Sequence, residues 1–357
     1  SCLVGSEMCI RDRYYSMHPY EKKINRLYFY WLFLSLILIF LIIIVGGLTR
    51  LTNSGLSITE WELFKGILPP LNDLSWKSYF AEYKKIPQYK LLNNNMSLDE
   101  FKIIFYWEYF HRVLARLVGL FFLIPLIYFY LSKKIKNDYM NICYIIFVLI
   151  VLQGIIGWYM VVSGLTKDVT VSHYRLSIHL VNAILIISML FWLIKNISTQ
   201  KNKIFFNFSI INLPFQILIF LIVIQIIIGA FVSGLDAGRI YQTWPLMGNN
   251  YFPDDFSFIN LNNFFDFNNH SLIQFYHRNL AYFIIFYVVI LSISIFKNRE
   301  YNLYKPLKIL LFFLSLQVFL GIYTLLSELN IFLASLHQIV SVLLIFSALN
   351  LYFFRVK

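Results

Sequence analysis

Eight apolar stretches, at about 29–48, 103–131, 139–163, 172–194, 214–234, 272–296, 307–327 and 332–354, restrict this chain more than any other feature. Each is near or above the roughly 18 residues that mark a bilayer-crossing helix. In hydrocarbon every backbone N–H and C=O must find its partner inside the structure, so a run of this length is read as a transmembrane helix. The chain is 59% hydrophobic and 13% charged over 357 residues, which excludes an ordinary soluble domain. The formal charge of +12 raises the question of a nucleic-acid partner. The basic residues, however, sit in short clusters between apolar runs, the pattern that marks the cytoplasmic side of a membrane protein. No nucleic acid is expected as a partner; the lipid bilayer is.

The charge clusters orient the spans. Lys133, Lys134 and Lys136, then Lys195, Lys201 and Lys203, then Lys297, Arg299, Lys305 and Lys308 all fall between spans on one side, together with Lys22, Lys23, Arg26, Arg355 and Lys357 at the termini. The positive-inside rule then places both termini in the cytoplasm, and the expected location is the bacterial inner membrane. Two long connections, 49–102 and 235–271, lie on the outer side, and Pro69, Pro70, Pro245 and Pro253 break regular structure there. Residues 1–16, "SCLVGSEMCIRDRYYS", have no apolar core of a signal peptide and read as an adapter-derived tail ahead of a start at Met17. With Cys2 and Cys9 set aside, Cys143 lies alone in an apolar run and reads as packing.

An internal repeat organises the spans. "GGLTRLTNSGLSITEW" after the first aligns without gaps on "GAFVSGLDAGRIYQTW" after the fifth, pairing Gly46 with Gly229, Gly55 with Gly238 and Trp61 with Trp244. The register continues through "HRVL" and "HRNL", "QGIIGWY" and "QVFLGIY", and "SIHLVNA" and "SLHQIVS". The expected fold is therefore an all-α integral membrane protein, its eight transmembrane helices forming two tandem pseudo-symmetric four-helix bundles. The halves divide at 17–195 and 196–357.

The repeat pairs four histidines: His111 with His277, and His179 with His337. Each lies about five to eight residues inside the outer end of its span, which at about 1.5 Å per residue is a shared depth of roughly 8–12 Å. Paired histidines on separate helices suit a haem gripped from both faces, with one imidazole on each side of the iron. Taken singly, an intramembrane histidine serves as well for a hydrogen bond between helices. His173 has Ile331 at its repeat position and reads as interfacial; His18 and His270 read as tail and loop residues.

Arg112 and Arg278 follow the histidines at one repeat position, and guanidinium forks near the outer boundary suit the two carboxylates of a porphyrin. Arg116 and Arg175 read equally as snorkelling to headgroups. Glu108 breaks the symmetry, because Gln274 stands at its repeat position. It lies one turn before His111 on the same helix face. A charged group in a span costs about 2.5–3.5 kcal/mol on insertion scales, so Glu108 is not idle there. It serves either substrate chemistry or a salt bridge to Arg112 or another helix for assembly. Gln153 and Gln317, equivalent in the repeat, suit a haem edge or a second helix, and Trp61 and Trp244 read as interfacial anchors.

The ordered set "GGLTRLTNSGLSITEW", "EYFHRVLARLVG", "QGIIGWYMVVSGL", "YRLSIHL", "GLDAGRIYQTWPLM", "FYHRNLAY" and "SLHQIVS" resembles the heme A synthase family of proteobacteria and mitochondria over residues 25–355. The resemblance implies a duplicated eight-helix bundle that oxidises the C8 methyl of heme O to a formyl group, supplying heme A to cytochrome c oxidase. It implies haem-iron ligands at His111, His179, His277 and His337 and an essential glutamate at Glu108. It also implies haem b as a cofactor in the carboxy-terminal half and substrate haem (heme O) in the amino-terminal half. Heme O synthase and cytochrome c oxidase assembly factors are the implied protein partners. The related Gram-positive branch carries a cysteine pair in the first outer loop; residues 49–102 hold no cysteine, so no mechanism through that disulfide applies. Two other classes fit the residues alone: a di-haem membrane cytochrome b taking electrons from quinol, and a non-catalytic haem carrier. An unpaired acid beside one of two duplicated sites has no use in a symmetric electron wire, which favours the oxidase.

Overall fold

The computed structural model describes residues 19–60, 68–167, 169–255 and 264–356. The tail 1–16, His18 and Trp61 lie outside them. The helices, in chain order, are α1 (Pro19–Leu51), α2 (Asp73–Tyr83), α3 (Pro87–Leu92), α4 (Leu98–Ser132), α5 (Asn137–Lys167), α6 (His173–Thr199), α7 (Leu213–Gly234), α8 (His270–Lys297), α9 (Tyr301–Leu326) and α10 (Ile331–Arg355). There is no strand among the described residues. Eight of the helices, all but α2 and α3, are long and apolar enough to cross a membrane.

The spans overrun the expected limits for reasons written at their ends. α4 starts at Leu98 rather than 103 because Ser97 and Glu100 form a capping box: Ser97 Oγ accepts from the Glu100 amide while Glu100 Oε2 accepts from the Ser97 amide at 2.8 Å. α9 starts at Tyr301 and carries Pro306 in its second turn, ahead of the expected 307. Pro125 sits inside α4 and has no N–H to give to the Phe121 carbonyl. Trp31 Nε1, on α1, takes that carbonyl at 3.2 Å, so the freed acceptor binds two helices together.

Connection 49–102, expected to be irregular, folds into a small outer layer. Asn72 caps α2 through the Ser75 amide at 2.8 Å, and Pro87 opens α3 at a position where its missing N–H costs nothing. Trp76, Phe80, Tyr83 and Ile86 pack with Leu56 and Ile58 onto Phe101, Ile104 and Phe105, the extension of α4 beyond its expected start. The sequence reading missed these helices because their apolar residues are few and are buried against another element.

α1 packs on α4 and α6, α5 on α4 and α6, α7 on α8 and α10, and α9 on α8 and α10. The two groups of four meet along α6 with α7, α1 with α10, and α6 with α10. At the end carrying the basic clusters, Lys203 Nζ donates to Phe353 O at 2.8 Å, Tyr352 OH donates to Phe205 O at 2.7 Å, and Arg355 pairs with Glu300. The segment joining the groups is thereby tied to the last helix.

Phe101 is fully buried under the outer layer. Truncating it removes about 3–5 kcal/mol of packing. Phe101→Ala is expected to speed cleavage of 73–92 by added protease while the eight spans stay protected, read by mass spectrometry of the fragments. Cleavage at the parent rate would show that the layer is held elsewhere.

Candidate functional site

Each of the four paired histidines lies on one helix with its ring edge against a glycine of the neighbouring helix. A β-carbon added to Gly46 on α1 would stand 2.9 Å from His111 Cε1, and one on Gly157 of α5 would stand 3.1 Å from His179 Cε1. The other half repeats the arrangement: Gly229 of α7 at 3.1 Å from His277 Cε1, and Gly321 of α9 at 2.9 Å from His337 Cε1. Such contacts are tighter than an alanine tolerates without a shift, so these glycines set how closely each ring approaches its neighbouring helix. The sequence alignment already paired the glycines, but only the structure shows that imidazoles fill the space.

His277 and His337 face one another with ring centroids 6.4 Å apart and planes 74° apart. A metal–imidazole bond is about 2 Å, so two in line occupy roughly 4 Å and the two half-rings take the remainder. The pair is spaced to hold one metal between its rings. Among the described residues no group of three or more His, Cys, Asp or Glu side chains is placed to hold a metal ion. Two imidazoles alone suit a metal that brings its own equatorial ligands, which is what a porphyrin iron does. The donor set therefore fits haem.

His337 is held as the required tautomer. Its Nδ1 lies 3.1 Å from the Gln317 carbonyl and donates to it, so Nε2 carries the lone pair, which accepts from the Gln317 side-chain Nε2 at 3.3 Å. Around His277, Gln225 Nε2 donates to the backbone carbonyl at 2.9 Å and stands 3.2 Å from the ring Nδ1. In the amino-terminal half His111 Nδ1 and His179 Nδ1 are both buried without a hydrogen-bond partner.

Glu108 is buried and fully engaged. Oε2 accepts from Ser57 Oγ at 2.7 Å and from the Ile58 amide at 2.8 Å; Oε1 accepts from Arg112 at 2.6 Å (NH2) and 3.1 Å (Nε). Arg112 NH2 also donates to Ile58 O at 3.0 Å. The carboxylate and the guanidinium together grip both backbone groups of Ile58, which latches the turn after α1 to α4. A cavity of about 20 Å³, room for one water, opens beside the latch between Ile58, Glu60, Tyr79, Tyr109, Arg112 and Arg116.

The other half holds the same turn with different chemistry. Gln274 Nε2 donates to Tyr241 O at 2.8 Å and Arg278 NH2 to the same oxygen at 3.0 Å, while Arg278 NH1 donates to Leu246 O at 3.2 Å. Tyr241 is the repeat position of Ile58. Both halves are thus latched, but only one latch contains a charge pair. Arg278 Nε is buried and unpartnered.

The remaining expectations fall as follows. Arg175 NH1 donates to Ser163 Oγ at 2.6 Å and its guanidinium lies 5.1 Å from the Tyr159 ring centre, a protein contact at the outer end of α6. His173 opens α6, buried against Phe231. His270 is helical, the first residue of α8, rather than a loop residue. Trp244 is partly exposed and donates to Tyr282 OH at 3.0 Å. Cys143 is a free, buried thiol 3.2 Å from Tyr28 OH. The sequence reading missed Ser57 and Gln225: serines in outer loops are common, and Gln225 has an apolar repeat partner in Ile42.

Residues 29–349 match the family model described as Cytochrome oxidase assembly protein. A heme A synthase of Pelagibacter ubique is 52% identical over 320 residues, covering 89% of this chain and 93% of the relative. A heme A synthase of Rickettsia felis is 42% identical over 333 residues, 90% and 96% of the two chains. One of Bartonella bacilliformis is 40% identical over 330 residues, 90% of each.

Losing the carboxylate removes the acceptor for a buried amide, worth about 1–3 kcal/mol, or roughly one to two decades in an opening equilibrium. Glu108→Ala is expected to raise hydrogen–deuterium exchange over 54–60 by about tenfold or more while α8 exchanges as in the parent. Unchanged exchange at Ile58 would mean the turn does not depend on this latch.

Proposed function

Because the chain belongs to the cytochrome oxidase assembly protein family and matches heme A synthases over nine-tenths of its length, we propose that it oxidises heme O to heme A in a bacterial inner membrane. The observation that carries the reading inside the molecule is the 6.4 Å spacing of the His277 and His337 rings. We assign haem b to these two, and the substrate porphyrin to His111 and His179 in the amino-terminal half, 17–195. The ring-to-glycine contacts, alike in all four places, support reading 17–195 and 196–357 as two copies of one four-helix unit. Both termini are assigned to the cytoplasm from the basic clusters at the end of the bundle opposite α2 and α3. A heme O synthase and cytochrome c oxidase assembly factors are the partners this activity needs to receive its substrate and deliver its product.

Haem b, when bound, supplies one-electron exchange. The chain's own residues do the rest. His111 and His179 orient the substrate, and the apolar walls of the first four spans keep bulk water from the carbon being oxidised. Glu108 lies one turn from His111, and its partners Ile58 and Arg112 line the single-water cavity, so its carboxylate would take up a proton released in the oxidation by giving up one of these donors. Arg112 acts first as its counter-ion. Arg278, with a buried donor to spare, is the better placed of the two arginines for a propionate.

Co-expressed with a heme O synthase, the purified chain is expected to yield formyl haem on pigment extraction, together with haem b. Glu108→Gln keeps the side-chain shape and is expected to lower formyl haem by about a hundredfold, the scale of a lost acid–base group, with haem b retained. Formyl haem at the parent level would remove Glu108 from the chemistry, and haem b alone in the parent would point to an electron-transfer cytochrome.

A further inference from the structure

The two imidazole pairs differ in what stands behind their rings. A histidine bound to iron through Nε2 must carry its proton on Nδ1, and that proton needs an acceptor when the site is dry. His337 has one, the Gln317 carbonyl at 3.1 Å. Beside His277 stands the Gln225 amide nitrogen, 3.2 Å from Nδ1 and 3.4 Å from Nε2, which donates to the His277 carbonyl at 2.9 Å; its Oε1 is buried and unpartnered, and turning that oxygen to the Nδ1 proton exchanges the backbone bond for one to the ring. Neither His111 nor His179 has any partner at Nδ1, although both atoms are buried.

The sequence accounts for the difference between His277 and His111. The repeat position of Gln225 is Ile42, whose side chain has no polar atom. Gln153, the counterpart of Gln317, has its amide committed elsewhere: its Nε2 donates to the His179 backbone carbonyl at 3.0 Å, and its Oε1 accepts from Asn182 at 2.7 Å. At the repeat position of Asn182 stands Val340, which makes no such claim on Gln317. Gln225 against Ile42 is therefore the substitution that accompanies the loss of a polar neighbour at His111, while at His179 the Nδ1 proton lacks the backbone acceptor that His337 finds in the Gln317 carbonyl.

We infer that Gln225 is a positioning residue that fixes His277 for long-term haem retention, and that Ile42 at the matching place leaves His111 free to release its porphyrin, making the amino-terminal pair the exchange site. This rests on the assignment of both pairs as haem sites. A ring tethered at Nδ1 re-forms its iron bond in the same orientation each time it breaks, whereas an untethered ring swings away. Substrate must enter and product must leave on every cycle, while a resident cofactor must stay. Partners of this kind are worth about 10–100-fold in metal affinity.

The test uses the full-length chain in detergent with haemin as the added ligand. Gln225→Ile is expected to speed haem transfer to apomyoglobin from the carboxy-terminal pair by about ten- to a hundredfold, and to make the reduced protein bind carbon monoxide there. Ile42→Gln is expected to slow haem loss from the amino-terminal pair and raise the haem retained per chain after purification. His277→Ala and His337→Ala serve as controls on the assignment itself. If they retain haem as the parent does, the site reading is wrong. If they lose it while Gln225→Ile and Ile42→Gln both leave transfer rates and carbon monoxide spectra unchanged, the site stands and this inference is overturned. The Ile42→Gln arm covers the case in which Gln225→Ile fails to fold.

Discussion

The approach of an imidazole edge to a helix backbone bare of any side chain is the contact on which the rest of this site depends. Gly46, Gly157, Gly229 and Gly321 each leave room for one ring. Within a helix a glycine costs about 1 kcal/mol relative to alanine, so four at ring positions are kept for what they permit. They permit α1 to lie close on α4, α5 on α6, α7 on α8 and α9 on α10 with a histidine between the members of each pair. Apolar attraction between helices is weak in lipid, and such close approach is what holds a bundle together there. Helix packing and the placement of the four imidazoles are thus the same contact.

On that frame the halves handle charge in opposite ways. The amino-terminal half carries its own anion, Glu108, and surrounds it with donors from Ser57, Ile58 and Arg112. A buried ion pair contributes little net stability, yet losing one member costs about 3–5 kcal/mol because the other is stranded. The carboxy-terminal half has no such anion at Gln274, and Arg278 retains an unused buried donor. An arginine already neutralised suits a site whose occupant comes and goes. One with a donor to spare suits an occupant that brings carboxylates and remains.

Much of this is legible in the sequence, and the reasons differ by element. All eight spans can be read there, because an unbroken apolar run in a membrane protein has few other structures open to it. The histidines stand out through the repeat, which turns four ordinary residues into two matched pairs. α2 and α3 escape a sequence reading because a helix lying on the extension of α4 is amphipathic and short, and loop prolines hide it. The latch is half visible: the pairing of Glu108 with Arg112 follows from their helical spacing, but Ser57 and Ile58 are distant in sequence and meet them only after the turn folds back. Gln225 is invisible to a comparison that looks for what the halves share, since its meaning lies in what they do not.

The seam between the halves is where that asymmetry becomes mechanical. Arg50 reaches from the end of α1 to the carbonyl of Ser233 at 2.5 Å and that of Gly234 at 3.2 Å, and pairs with Asp236 at 3.3 Å. A cation set on the open carbonyls of a helix C-terminus meets the negative end of its dipole, so α7 is held from outside its own half. Along the other seam Gln338, next to His337, donates to Ile43 O at 2.9 Å and fills the space over Gly47, where any β-carbon would collide with its amide. Gly47 adjoins Gly46, the glycine against which His111 rests. From His337 to His111 the contacts therefore run through Gln338 on α10 and the adjoining Gly47 and Gly46 on α1. His337 thus stands on a helix packed directly at this seam against α1, the helix on which the His111 ring rests.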